Sequence, residues 1–343
     1  MNNDFLKLHT DDEEENETIN KFDKFLQSVL NDDKIDSETM DMFKSEIEDM
    51  KRAYDNGEIE GYDSFEDFMN DTINEIAKEI NEEDETDATG KFGAFVLLSE
   101  NTFDKEKLIK DLANDWDIVD ESTDDENDDF DEINHKNDLI ISYEGNTIIV
   151  SLFSTSIPDN EAVFCAESNF LWPDAVKQAK KHKAFLTVAL MGEEEDLVEK
   201  GVLFTEVVMS CCKQQNVLGV YTNATVYEPD FYMQGEEFID DGELPIYNMV
   251  WLGLYKEENG ISGYTCGMDV YGKDEMEIIN SEAEPFEILG FLTDVVSYVL
   301  EEDVTLYDGE TIGTEENEKI PITRSEGVNV RGMSLKFGFM TEE

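Results

Sequence analysis

His182 is the residue whose type and setting come nearest to chemistry. It closes a helical pattern carrying Lys177, Lys180, Lys181 and Lys183, the one basic patch of the chain. A thiol becomes a nucleophile as its thiolate, and a neighbouring imidazole promotes that state. Cys165 is therefore the natural partner of His182, with Glu161 as an alternative base. The structural alternative is that His182 caps the helix end, where a cation interacts favourably with the dipole. No third, orienting residue stands at a recognisable spacing, and no Gly-x-Ser-x-Gly elbow is present. The capping reading is the better supported, so the chain leans towards a non-enzyme. The lysines themselves read as a soluble helix face, or as a docking point for an acidic segment or partner.

Other motifs carry less. Asp124 to Asp129 has the oxygens of a calcium loop. With Asp125 as first ligand, however, Phe130 stands where the sharp turn needs Gly and Lys136 where the bidentate acid belongs. A solvated acidic loop is the reading, and no metal is expected. Gly260, Gly263 and Gly267 fall in a hairpin pattern, and no Walker or dinucleotide fingerprint occurs, so no cofactor is implied. Cys165, Cys211, Cys212 and Cys266 lack metal-ligand spacing and read as free, buried thiols. Asp308, Gly309 and Glu310 form a polar turn that is a weak binding candidate beside Trp172 and His182.

The elements that must position these residues sit in a very acidic chain. Its 343 residues hold 85 acids against 25 bases, a formal charge of −60. Nucleic-acid binding by counterion release needs clustered Lys and Arg, and only 3 arginines occur, so direct nucleic-acid binding is excluded. A hydrophobic fraction of 40% still supports a sizeable core. No apolar run is long enough to span a membrane, and the start MNNDFLKLHTDDEEE lacks the features of a secretion signal, so a cytoplasmic location is expected.

The charge is uneven. Residues 1–90 hold 30 acids and 8 bases, residues 91–150 hold 17 and 5, and residues 151–343 hold 38 and 12. Residues 1–17 read as an acidic disordered tail. Apolar stripes at three- and four-residue spacing then predict an acidic three-helix domain over 18–80, followed by a linker over 81–91. The remaining 92–340 read as an α+β domain with an acidic insert loop at 115–137, where 11 acids meet one lysine.

Within that domain Phe92–Leu98 reads as a buried strand, Phe103–Ala113 as a helix, and Leu139–Tyr143 with Thr147–Phe153 as a hairpin. Trp172–Lys183 reads as a helix with Pro173 in its first turn, followed by the strand Ala184–Met191. This β-α-β-β-α-β order predicts a ferredoxin-like antiparallel sheet with helices on one face. Further on, a helix over Leu197–Gln215 and a strand over Val217–Thr222 are expected. A long hairpin pairs Ile246–Tyr255 with Ile261–Tyr271, the helix Phe286–Leu300 begins after Pro285, and strands near Ile320 and Leu335 close the chain.

Several stretches in order carry a resemblance: Ser156-Ile157-Pro158, Trp172-Pro173-Asp174-Ala175, His182-Lys183-Ala184, Leu218-Gly219-Val220-Tyr221, Val226-Tyr227, Leu244-Pro245, Tyr307 to Gly313 and Glu318-Lys319-Ile320. From about residue 92 to 339 the chain resembles the bacterial domain-of-unknown-function 4261 family. In that family a second histidine often follows the His-x-Ala step; here the position is Phe185. The resemblance implies fold boundaries and no established activity.

The functional expectation is a cytoplasmic, non-enzymatic module that binds a basic protein partner, of the immunity or inhibitor type. The alternatives are a small-molecule hydrolase built on His182 and Cys165 or on the Asp308 loop, and a mimic of DNA phosphate arrays.

Overall fold

A computed structural model describes Arg52 and residues 88–122, 137–192, 196–257, 259–313 and 319–340. The tail 1–17, the helices expected over 18–80, residues 81–87 of the linker and residues 123–136 of the acidic insert lie outside the described residues. The chain divides between Thr86 and Asp87, and the second unit is the one described below.

Six strands form its first sheet: β1 (Phe92–Leu98), β2 (Asp138–Tyr143), β3 (Asn146–Phe153), β4 (Ala184–Met191), β5 (Val217–Thr222) and β6 (Thr225–Tyr227). Their order is β2-β3-β4-β1-β5-β6, and every pairing is antiparallel. A ferredoxin-like sheet would seat β1 between β3 and β4, so the expected order is corrected. β4 occupies the place beside β3 because Ala-Phe-Leu-Thr-Val-Ala-Leu-Met is apolar on both sides, as a central strand covered on both faces must be. It pairs along seven positions with β1, Phe92↔Leu190 to Leu98↔Ala184, and along seven with β3, Thr147↔Met191 to Phe153↔Phe185.

Helices cover both faces of this sheet, not one as expected. Phe92, Ala94, Val96 and Leu98 point to α1 (Lys105–Trp116), through Leu108 and Leu112. Leu97 points the other way, to a cap of short turns carrying α2 (Glu161–Cys165) and α3 (Ala175–Ala179). The long helix expected over Trp172–Lys183 is thus one turn and a half. α4 (Leu197–Cys212) lies with α1 and connects β4 to β5, which run parallel with β1 between them. The split β-α-β unit exists, one helix later than the sequence suggested.

Three short helices follow: α5 (Pro229–Tyr232), α6 (Gly235–Asp240) and α7 (Ile246–Met249). The second sheet then contains β7 (Trp251–Glu257), β8 (Gly260–Cys266), β9 (Glu275–Ser281), β10 (Thr311–Ile312), β11 (Ile320–Glu326) and β12 (Met333–Phe337). Its order is β10-β11-β12-β9-β8-β7, mixed because β12 runs parallel to β9. α8 (Pro285–Glu301) starts with a capping box between Glu284 and Glu287 and buries Ile288, Phe291, Leu292, Val295, Val296 and Val299. Among the described residues no helix is long and apolar enough to cross a membrane.

α8 approaches β8 closely because Gly263 offers no side chain: a Cβ there would lie 2.4 Å from Ile288 Cγ2 and 3.0 Å from Leu292 Cδ1. Gly263→Val is therefore expected to lower stability by about 1–3 kcal/mol through overpacking. Urea unfolding at fixed m-value reads this, and an unchanged midpoint would contradict the close helix–sheet approach.

Candidate functional site

Two of the candidate residues meet under the cap of the first sheet. An aromatic ladder crosses four strands there: Phe153 stacks on Phe185 at 5.1 Å, Phe185 meets Phe95 edge-on at 5.7 Å, and Phe95 stacks on Tyr221 at 5.6 Å. The ladder fixes the Tyr221 ring, and the tyrosine hydroxyl donates to Glu161 Oε1 at 2.7 Å. The Cys165 thiol in turn donates to Tyr221 Oη at 3.6 Å. Cys165 and Glu161 are thus joined through Tyr221, a residue that candidate-picking by reactive type passes over. Burial pushes the Cys165 thiol up, so it rests as a neutral thiol rather than a thiolate. Burial and the Glu161 carboxylate raise the Tyr221 hydroxyl well above its ordinary range.

His182 does not join them. It is 8% exposed, its Nε2 accepts from the Ile157 backbone N–H at 2.8 Å, and its Nδ1 donates to the Ala179 carbonyl at the end of α3. Both ring nitrogens are spent on backbone, which pins the start of the cap to its end. Trp172 is likewise a packing residue of this cap. Asn169 Oδ1 accepts from the Trp172 and Leu171 N–H groups, each at 3.0 Å, while its Nδ2 donates to the Val226 carbonyl at 2.8 Å. Lys177, Lys180, Lys181 and Lys183 lie on the surface, with Lys177 paired to Asp174 at 3.2 Å. All four cysteines are free; Cys211 is buried and the others partly so.

The turn from Tyr307 to Gly313 lies elsewhere, against β11. Asp308 Oδ1 accepts from the Arg324 N–H at 2.9 Å, and Glu310 Oε2 accepts from the Tyr307 N–H at 2.8 Å. Gly309 adopts φ +83°, a conformation that suits glycine, and donates its N–H to Ile322 O. Its two acids therefore shape the turn, and it is not brought together with His182 by any contact of these groups.

Two carboxylates that sequence reading missed organise the second sheet. β9 was not expected, because Met276 and Ile278 alone supply its apolar face, while glutamates hold the alternate positions 275 and 277, buried though they are. Their spacing of two, Glu275-Met276-Glu277-Ile278, was the available signal, since it sets both acids on one face. Glu275 accepts from the Gly267 N–H at 2.6 Å, the Met268 N–H at 2.9 Å and the Thr265 hydroxyl. Glu277 has 0% exposure and accepts from Val328 and Asn329 N–H groups at 3.0 and 2.6 Å, from Ser334 Oγ, and from Lys336, 3.0 Å away. Burial works against the Glu277 charge, but these donors outweigh it and hold the carboxyl below its usual range. For Glu275 burial wins: with Asp269 nearby, and despite its three donors, the carboxyl is pushed up to about 7. Among the described residues no group of three or more His, Cys, Asp or Glu could hold a metal ion.

The raised Glu275 has a consequence for stability. Folded protein keeps this proton in the interval from 4.5 to about 7, where the unfolded chain has released it, so the contribution of Glu275 to stability falls as pH rises through that interval. Glu275→Gln removes the titration. The stability of the unmodified protein relative to the variant is expected to drop by on the order of 3 kcal/mol between pH ~4.5 and ~7. Denaturant unfolding at several pH values checks this, and parallel profiles would contradict it.

No curated protein and no solved structure matches the chain. A family model does match the segment from β8 to the end of β12, which contains Glu275, Glu277 and the loops they hold. Residues 264–337 of this chain match the family described as Domain of unknown function (DUF4261).

Proposed function

We propose that the protein is a non-enzymatic binding module, acting in the cytoplasm, that docks a basic partner protein in the manner of an immunity protein or inhibitor. One observation carries this reading. Residues 228–243, Glu-Pro-Asp-Phe-Tyr-Met-Gln-Gly-Glu-Glu-Phe-Ile-Asp-Asp-Gly-Glu, hold 7 acids and no base. Glu228, Asp230, Glu237, Asp240, Asp241 and Glu243 are exposed, and among the described residues none of the seven carboxylates forms an ion pair or side-chain hydrogen bond.

These acids are held in place from below. Tyr232 is fully buried, and its carbonyl accepts from Asn248 Nδ2 at 2.7 Å. Gly235 packs so near Asn248 that a Cβ would sit 2.6 Å from Oδ1. Phe238, 41% exposed, stands among the charges as an apolar anchor of the kind that interface centres use. Unpaired carboxylates around such an anchor steer and then hold a basic surface. A hydrolytic reading draws less support, because His182 is engaged by backbone and Cys165 stays a neutral thiol.

Immobilised full-length protein should retain a basic protein at ~50 mM salt and lose most of it at ~500 mM, as exposed charge pairs are screened. Replacing the acids of α6 and its end, by Glu236→Gln, Glu237→Gln, Asp240→Asn and Asp241→Asn together, should weaken that retention about tenfold or more without changing the unfolding midpoint. Recovery of no basic partner, or retention indifferent to salt and to these substitutions, would contradict the reading.

A further inference from the structure

A second feature lies beside the first sheet, in a cleft that residues 228–243 do not line. The N-terminal half of α4 and the turn between β2 and β3 enclose a cleft of about 800 Å³. Glu199, Val202, Leu203 and Glu206 line it from α4 at the i, i+3, i+4, i+7 spacing of one helix face. Trp116 and Tyr143 supply aromatic walls, and Trp116 Nε1 is fixed by a 3.0 Å bond to Ser210 Oγ.

Lys200 lines the same cleft. It is 7% exposed, yet among the described residues its ammonium has neither a hydrogen bond nor an ion pair. It shares the inner stripe of α4 with Phe204, Val207 and Cys211, where an apolar residue would serve the core. Its Nζ keeps access to solvent at the cleft, so an anion that enters there can meet it. The carboxylates of Glu144, Asp196, Glu199 and Glu206 flank the cleft without pairing to Lys200, and they repel a simple anion. An anion bearing its own cation meets no such repulsion, because its positive end falls among those acids. Burial pushes the Glu206 carboxyl up to about 7, which marks it as an acid that also lacks a counter-charge.

We propose that this cleft binds a small zwitterion: its carboxylate on Lys200, its ammonium among Glu199, Glu206 and the aromatic faces of Trp116 and Tyr143. Lys200 and Glu206 are six residues apart, about 9 Å along the helix axis, which suits charges separated by a short chain. The site uses none of the residues invoked for the basic partner, so either reading can fail alone.

Titration calorimetry on the full chain with three matched probes tests it: 5-aminopentanoate, pentanoate and pentylamine. 5-Aminopentanoate should bind at least about tenfold more tightly than either single-charge probe. Lys200→Met, which keeps the apolar stem and removes the charge, should abolish binding of 5-aminopentanoate without lowering the unfolding temperature. Glu206→Gln should weaken 5-aminopentanoate and pentylamine and leave pentanoate unchanged. Binding of none of the probes, pentylamine binding as tightly as 5-aminopentanoate, or undiminished binding to Lys200→Met would each overturn the proposal.

Discussion

Glu277 sits in β9 with no exposed surface, and its two oxygens accept from two backbone N–H groups, a serine hydroxyl, an asparagine side chain and a lysine. Burying a carboxylate is costly, and the cost is met only when the remaining lone pairs are satisfied and a counter-charge is close. Lys336 supplies that charge from the position directly opposite, since Lys336↔Glu277 is one of the cross-strand pairs that join β12 to β9 in parallel. Val328, Asn329 and Ser334 come from the loop and strand that return the chain from β11. One side chain thus fixes three things together: the parallel seam, the loop 327–332 and the place of β12. With Glu275 two residues earlier holding the turn at Gly267, the second sheet is organised from a single strand.

In a chain with 85 acids, these two show by contrast what the others do. The carboxylates of Glu275 and Glu277, taken inside, each accept from several donors. Those of residues 228–243 have no partner and remain on a segment anchored by Tyr232 and Gly235. The first sheet follows a different logic: its aromatic ladder and the His182 link between Ile157 and Ala179 hold the cap by packing and backbone bonds, with the thiol of Cys165 turned to a phenol. Among the described residues, unpaired charge remains at residues 228–243 and at Lys200.

How much of this was legible depends on the side chains involved. Apolar runs gave β1, β4 and β5 to within a residue, and Pro285 placed the start of α8, because burial and the proline ring leave few alternatives. Strand order was not legible: which strand neighbours β3 depends on how the cap of residues 154–183 returns the chain, and alternation carries no information on that. The expected hairpin of Ile246–Tyr255 with Ile261–Tyr271 survives as β7 and β8, while its flanks became α7 and a 3-10 turn at Asp269–Tyr271. β9 escaped because only Met276 and Ile278 mark its apolar face, and the glutamates between them read as exposed although they are buried. Tyr221 escaped as a site residue because a tyrosine in a strand reads as packing until its hydroxyl partners are seen. His182 was read as a cap on a helix end; one of its bonds goes to the Ala179 carbonyl there, but its bond to the Ile157 N–H across the cap joins distant residues that spacing could not connect.

Amide hydrogen exchange on Glu277→Gln against the unmodified protein tests the role of Glu277 most directly. The substitution keeps the shape but removes the charge facing Lys336 and turns part of the acceptor into a donor. The Val328 and Asn329 amides are expected to exchange faster by on the order of tenfold or more, while amides at the centre of β8 change far less. Unchanged protection at Val328 and Asn329, or an equal loss across the whole sheet, would contradict the view that this carboxylate holds the loop and the parallel seam.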